Sequence, residues 1–101
     1  METTVSTTDG RSVIRLSGRF DFNAHREFRD AVDQVLKSDG PQEIQVDFAA
    51  VDYLDSSALG MLLMLRDKAR SAGKNVSLAN CRGAVKQVIE IANFGKLFSI
   101  D

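Results

Sequence analysis

Apolar and polar positions alternate in the first part of the chain. Ile14 and Leu16 alternate with Arg15 and Ser17, a period of two that predicts a strand over 13–17 with one buried and one wet face. A partner strand is predicted over 3–7. Thr8-Asp9-Gly10-Arg11 lies between them, and Asp-Gly favours the tight turn of a hairpin. Gly18 is expected to break the second strand. The period then lengthens. Ala24, Phe28, Ala31, Val32, Val35 and Leu36 fall at helical spacing and make one apolar stripe. That helix is predicted to start near Asn23, a good N-cap residue, and to end at Ser38-Asp39-Gly40-Pro41.

Alternation returns over 44–48, where Ile44, Val46 and Phe48 face away from Gln45 and Asp47. A short acidic loop is expected next, ending in Asp55-Ser56-Ser57. A second helix follows, with a core stripe of Ala58, Leu62, Leu65, Ala69 and Ala72 and a stop at Gly73. Val76 and Leu78 alternate with Ser77 and Ala79 in a short strand. A third helix is predicted from Arg82 to Ala92, carrying Val85, Val88, Ile89 and Ala92, with Asn93 in a left-handed cap. A last strand covers 97–100. Strands separated by helices of this length call for parallel pairing with right-handed crossovers. Because the strands alternate, one sheet face is expected to stay partly exposed. The order is β-β-α-β-α-β-α-β in an α/β fold, a mixed sheet with helices packed mainly on one face.

Composition narrows the classes. One hundred and one residues suit one domain, 1–101, with one modest core. The net charge of −1, with acids and bases interspersed, speaks against nucleic acid. No apolar run reaches the ~20 residues needed to span a bilayer, and the N-terminus lacks a signal peptide's basic start and apolar core. A cytoplasmic protein is expected, with no membrane insertion. The single cysteine, Cys81, fits a reducing compartment and reads as a buried or cap position. His25, the one histidine, reads as a surface residue. No triad, metal-ligand cluster or phosphate-binding Gly loop is present, so neither an enzyme nor a cofactor is expected.

The chemistry worth weighing lies between the third strand and the second helix. On local physics Ser56 and Ser57 belong to a helix N-cap. That account leaves unexplained why two hydroxyls sit beside Asp47, Asp52 and Asp55. Leu59, Leu63 and Met64 lie off the core stripe. They either pack under neighbouring elements or form a partner-binding ridge. Asp21 reads as a helix cap on the same side of the sheet.

Leu54-Asp55-Ser56-Ser57-Ala58-Leu59-Gly60 resembles the Asp-Ser-Ser/Thr-Gly-Leu-Gly signature of STAS domains, the bacterial anti-sigma factor antagonists. Ala58 replaces the usual Gly. Gly18-Arg19-Phe20-Asp21 is similar to the family's Gly-x-Leu-Asp, and Ala84-Val85-Lys86 with Phe94-Gly95-Lys96-Leu97-Phe98 to its last helix and strand. The resemblance implies a STAS-like sheet and a phosphorylation site at Ser56, with Ser57 as the alternative. It implies that Asp21 takes part in partner or kinase contact, beside Asp55, Ser56, Ser57, Leu59, Leu63 and Met64. It also implies capture of an anti-sigma factor by the unphosphorylated form, which frees a sigma factor for transcription. A serine kinase of the histidine-kinase-like ATPase fold ends the capture, and a PP2C-type phosphatase restores it. The free protein is expected to be a monomer. Two other uses of the fold stay open: an accessory subunit of a lipid-transport ABC complex, and a stressosome-like scaffold. STAS domains usually continue into a further C-terminal helix, whereas this sequence stops at Asp101.

Overall fold

The computed structural model describes residues 1–37 and 42–100. Strands β1 (Glu2–Thr8) and β2 (Arg11–Phe20) form an antiparallel hairpin in which Thr8 pairs with Arg11. Asp9 and Gly10 between them both have positive φ, 50° and 75°. A two-residue hairpin turn needs that conformation, and Asp-Gly supplies it at low steric cost. A 3₁₀ turn (Phe22–Ala24) leads into α1 (His25–Lys37). Then follow β3 (Glu43–Leu54), α2 (Ser56–Ser71), β4 (Asn75–Ala79), α3 (Gly83–Ile91), a second 3₁₀ turn (Phe94–Lys96) and β5 (Ser99–Ile100).

The sheet order is β1-β2-β3-β4-β5, with β2 through β5 parallel. The chain steps across the sheet in one direction without reversing. Right-handed crossovers taken in one direction place every connecting helix on the same face. This is the α/β mixed sheet, helices on one face, that the alternating strands predict. Ile14 and Leu16 of β2, Ile44, Val46 and Phe48 of β3 and Leu78 of β4 are buried in one cluster with Phe28, Val32, Leu62 and Leu65 of the helices. Phe20, Phe28 and Phe48 stack within it, at centroid distances of 4.9 and 6.4 Å from Phe20. The other face carries a polar chain instead. Arg15 Nη1 donates to Ser6 Oγ at 2.9 Å, and its guanidinium lies 3.8 Å from Asp47. Asn80 Nδ2 donates to Asp47 Oδ1, also at 2.9 Å.

Several boundaries differ from the sequence reading. Gly18 does not break β2; it continues the strand at φ 98°, a backbone state open to glycine. The expected loop after Phe48 is strand. From Arg15 to Phe20, β2 advances five residues, while its partner β3 advances seven, from Asp47 to Leu54. Two bulges absorb the difference. The Ala49 amide donates to Asp47 Oδ1 at 2.9 Å beside the first. Buried positions therefore run Phe48, Val51, Leu54, a spacing of three that hides the strand from a period-two search. The first helical turn is capped by Asp21, whose Oδ1 accepts from the Asn23 amide at 3.0 Å. Asn23 lies inside that turn. Ala72, expected in the core stripe, is exposed at the α2 C-cap, and Met61, outside that stripe, is buried instead. Leu97 and Phe98 precede β5, which is only two residues long. Gly73 (φ 74°) and Asn93 (φ 59°) take the left-handed conformations expected of them. The stop at Ser38-Asp39-Gly40-Pro41 lies outside the described residues.

Phe28 is fully buried against Phe20 on the face that α1 presents to the sheet. Phe28→Ala is expected to lower stability by about 3–5 kcal/mol. The check is the shift of the urea unfolding midpoint with an unchanged slope.

Candidate functional site

Strands β2 and β3 end side by side, with Phe20 opposite Leu54. Each strand end is followed by an aspartate, and each aspartate caps the helix that leaves the sheet. Asp21 caps the 3₁₀ turn, as above. The Asp55 amide donates to the Phe20 carbonyl at 3.3 Å, tying the start of α2 to the end of β2. Its Oδ1 accepts from the Ala58 amide at 3.0 Å, and its carbonyl accepts from the Leu59 amide at 3.3 Å. The N-cap is thus Asp55 and neither serine. An aspartate serves well because its carboxylate satisfies an orphan amide and meets the positive end of the helix.

With that work done by Asp55, Ser56 and Ser57 become the first two helical residues. Ser56 is exposed and Ser57 half-buried. Their hydroxyls take no part in the cap. Beside them the 3₁₀ turn and α2 enclose a shallow groove of about 270 Å³, lined by Phe22, His25, Ser57, Gly60, Met61 and Met64. Phe22 is 71% exposed at its rim, an aromatic ring with most of its area in water. On the other side, Arg19 lies 3.6 Å from Asp21 and stacks over the Tyr53 ring at 4.0 Å.

Of the expected site residues, Asp21, Asp55, Ser56 and Ser57 come together at this end of the sheet. Met64 lines the groove, and Leu63 is 36% exposed on the same helix. Leu59 turns inward and packs against the core. Asp47 does not belong here: it sits lower on β3, on the open face, paired with Arg15 and Asn80. Asp52 is exposed on β3. The groove adds Phe22, His25, Gly60 and Met61, which sequence reasoning did not select. An apolar residue next to a helix cap was the available signal for Phe22, and it does not tell burial from exposure.

Cys81 lies away from this site, half-buried just after β4. Burial, helped by the nearby Asp47 carboxylate, pushes its thiol up to about 11. Among the described residues no group of three His, Cys, Asp or Glu side chains could hold a metal ion. No helix there is long and apolar enough to cross a membrane.

A family model described as "Mlab, STAS domain" matches residues 3–99. A STAS-domain containing protein of Pseudomonas aeruginosa is 46% identical over 99 residues, covering 97% of this chain and 96% of that protein. An anti-sigma factor antagonist from Mycobacterium paratuberculosis superimposes with a TM-score of 0.86 at 25% identity, over 98% of this chain and 83% of the other. The Bacillus cell fate determinant SpoIIAA, in its phosphorylated form, superimposes with a TM-score of 0.73 at 20% identity, over 99% and 91% of the two chains. At that identity the likeness is one of fold.

Two outcomes follow from this geometry. Asp55→Ala is expected to cost about 0.5–2 kcal/mol through loss of the cap, and Asp55→Asn much less, by chemical denaturation. The Cys81 thiol, raised from 9.0 to about 11, holds its proton through the ordinary alkaline range. At pH 8 its alkylation by iodoacetamide is expected to run roughly a hundredfold slower than that of the unfolded chain, two pKa units being two decades of thiolate.

Proposed function

We propose, because this chain belongs to the STAS domain family, that it acts as an anti-sigma factor antagonist switched by phosphorylation at Ser56. The observation that carries this reading is local. Ser56 is exposed at the start of α2, its hydroxyl spared from capping by Asp55, beside a groove rimmed by Phe22. A kinase can reach such a hydroxyl. A partner seated on the groove and on Leu63 and Met64 would lie against it.

The switch is electrostatic. A phosphoserine adds about −1.5 to −2 charges at neutral pH. Within the domain the positive end of α2 favours it by roughly 0.3–1 kcal/mol, so the fold survives. Across the interface, a partner carboxylate within ~4 Å would be repelled by between about 1 kcal/mol in water and 4 at a protein surface. That spans roughly tenfold to a thousandfold in affinity. The unmodified domain is then the form that captures an anti-sigma factor and frees a sigma factor. A serine kinase of the histidine-kinase-like ATPase fold ends the capture, and a PP2C-type phosphatase resets it.

The reading is of a binding module made of one domain over 1–101, working in the cytoplasm, and not of an enzyme. His25 and Ser57 line one groove, yet they make no hydrogen bond to each other. A serine nucleophile needs a base within hydrogen-bond reach and a third group to orient it. The alternative is an accessory subunit of a lipid-transport ABC complex. It is kept because the matching family description names Mlab beside STAS.

The test is tandem mass spectrometry of the protein from its own cells, on the tryptic peptide 38–66. Phosphate on Ser56 in part of the population is the expected result. Phosphate on Ser57 keeps the mechanism and moves the residue. None under any growth condition transfers weight to the transporter accessory. In parallel, Ser56→Asp is expected to stay folded by circular dichroism and to bind the anti-sigma factor at least about tenfold more weakly than wild type. Wild-type affinity in that variant would sink the switch.

A further inference from the structure

The end of the sheet opposite Ser56 holds a second concavity. It lies at the amino ends of β3, β4 and β5, where Glu43, Asn75 and Ser99 start their strands. Its volume is about 470 Å³, within the ~300–1,000 Å³ of small-molecule sites. Arg66 and Arg70 enter it from α2, Lys74 from the loop that follows, and Lys96 from the second 3₁₀ turn. Fourteen residues of helix separate Ser56 from Arg70, about 21 Å at 1.5 Å per residue, so the two sites do not overlap.

The charge of this pocket is out of proportion to the chain. Among the described residues its lining carries four cations and one carboxylate, that of Glu43, in a protein of net charge −1. Part of that charge has an internal use. Lys74, 6% exposed, donates from Nζ to the Val35 carbonyl in the last turns of α1, at 3.3 Å. Arg70 lies in the last turn of α2. Setting Lys74 aside as engaged, Arg66, Arg70 and Lys96 against Glu43 and the roughly half negative charge of the α2 C-terminus leave on the order of +1.5. Glu43 accepts from Asn75 Nδ2 at 3.3 Å, and Asp67, beside Arg66 at 3.8 Å, is a solvent-screened rim residue. The cationic heads of Arg70 and Lys96 make no ion pair or hydrogen bond among the described residues.

Holding like charges together costs stability unless an anion joins them. The pocket is also partly preorganised. Arg66 and Arg70 are four apart and share one helix face, and Arg66 Nε is fixed on the Leu97 carbonyl at 2.9 Å. Fixed guanidinium groups suit phosphate oxygens better than mobile ones do. A phosphate group carries about −1.5 to −2 charges, which matches what is left uncompensated. The geometry points to a binding site for a small molecule bearing a phosphate or diphosphate group, held by Arg66, Arg70 and Lys96. A free diphosphate and a nucleotide share that chemistry. The site is independent of the serine switch and stands whether or not Ser56 is phosphorylated.

Calorimetric titration of the full chain at low ionic strength tests this, with inorganic pyrophosphate as one probe and ADP as the other. Saturable one-to-one binding with Kd below about 1 mM is expected for at least one probe. The Arg70→Ala/Lys96→Ala double variant, both positions exposed, is expected to bind roughly tenfold more weakly or worse. Tighter binding of ADP identifies a nucleotide site, and equal binding a site for the diphosphate alone. Ser56→Asp is expected to bind like wild type. Absence of saturable binding with both probes overturns the proposal. So does wild-type affinity in the double variant. Should circular dichroism show that variant unfolded, Lys96→Gln replaces it under the same criterion.

Discussion

The pairing of β2 with β3 is the constraint on which the rest of this molecule depends. The two strands run parallel but not in step, since β3 gains two residues over the span in which β2 uses five. That gain sets Leu54 opposite Phe20. It also decides which side chains of β3 enter the core, because a slip of one residue would turn each to the other face. With the bulges in place, Phe48, Val51 and Leu54 all reach the helix side, and two strand ends arrive together. Asp21 and Asp55 then stand next to each other in space, 34 residues apart in sequence. The hydrogen bond from the Asp55 amide to the Phe20 carbonyl closes the arrangement.

Built this way, the domain is a firm platform with different chemistry at its two ends. Three helices on one face bury a single core, and the open face is tied by the Ser6–Arg15–Asp47–Asn80 chain. At the carboxyl ends of the strands stand the two capping aspartates, an exposed hydroxyl and an apolar groove. At the amino ends stands the cationic pocket. Helix α2 joins them, with Ser56 at its first turn and Arg70 at its last. A near-zero net charge thus conceals a separated distribution, which matters for recognition because exposed charges act over about a Debye length, ~8–10 Å.

Such a platform suits regulation by surface change. A phosphate at a helix N-terminus is accommodated locally, while a partner laid over it must desolvate and face it. The domain needs no second conformation for this. In the proposed switch only the free energy of one interface would change, which accords with a chain that has few titratable groups in its core and a cysteine held as a neutral thiol.

Much of this was legible in the sequence. Alternation marked the strands, Asp9-Gly10 marked the hairpin, apolar stripes marked the helices, and Gly73 and Asn93 marked helix ends. These signals are local: they depend on backbone preferences and on which face of one element is apolar. Asp21 was legible as a cap, though Asn23 competed with it, whereas the length of β3, the choice of Asp55 over the serines as cap, and the removal of Asp47 to the open face were not legible. Good capping residues differ among themselves by less than about 1 kcal/mol, so neighbouring geometry selects one. Bulges erase the periodicity by which a strand is recognised. The sequence by itself determined the kinds of element, their order and the sheet they had to form, because burial of alternate faces admits few other packings. Only the tertiary structure decided which residues of separate elements meet, at the Phe22 groove and at the four-cation pocket. Those meetings depend on strand register and helix placement, which are properties of the whole chain's packing and of no segment alone.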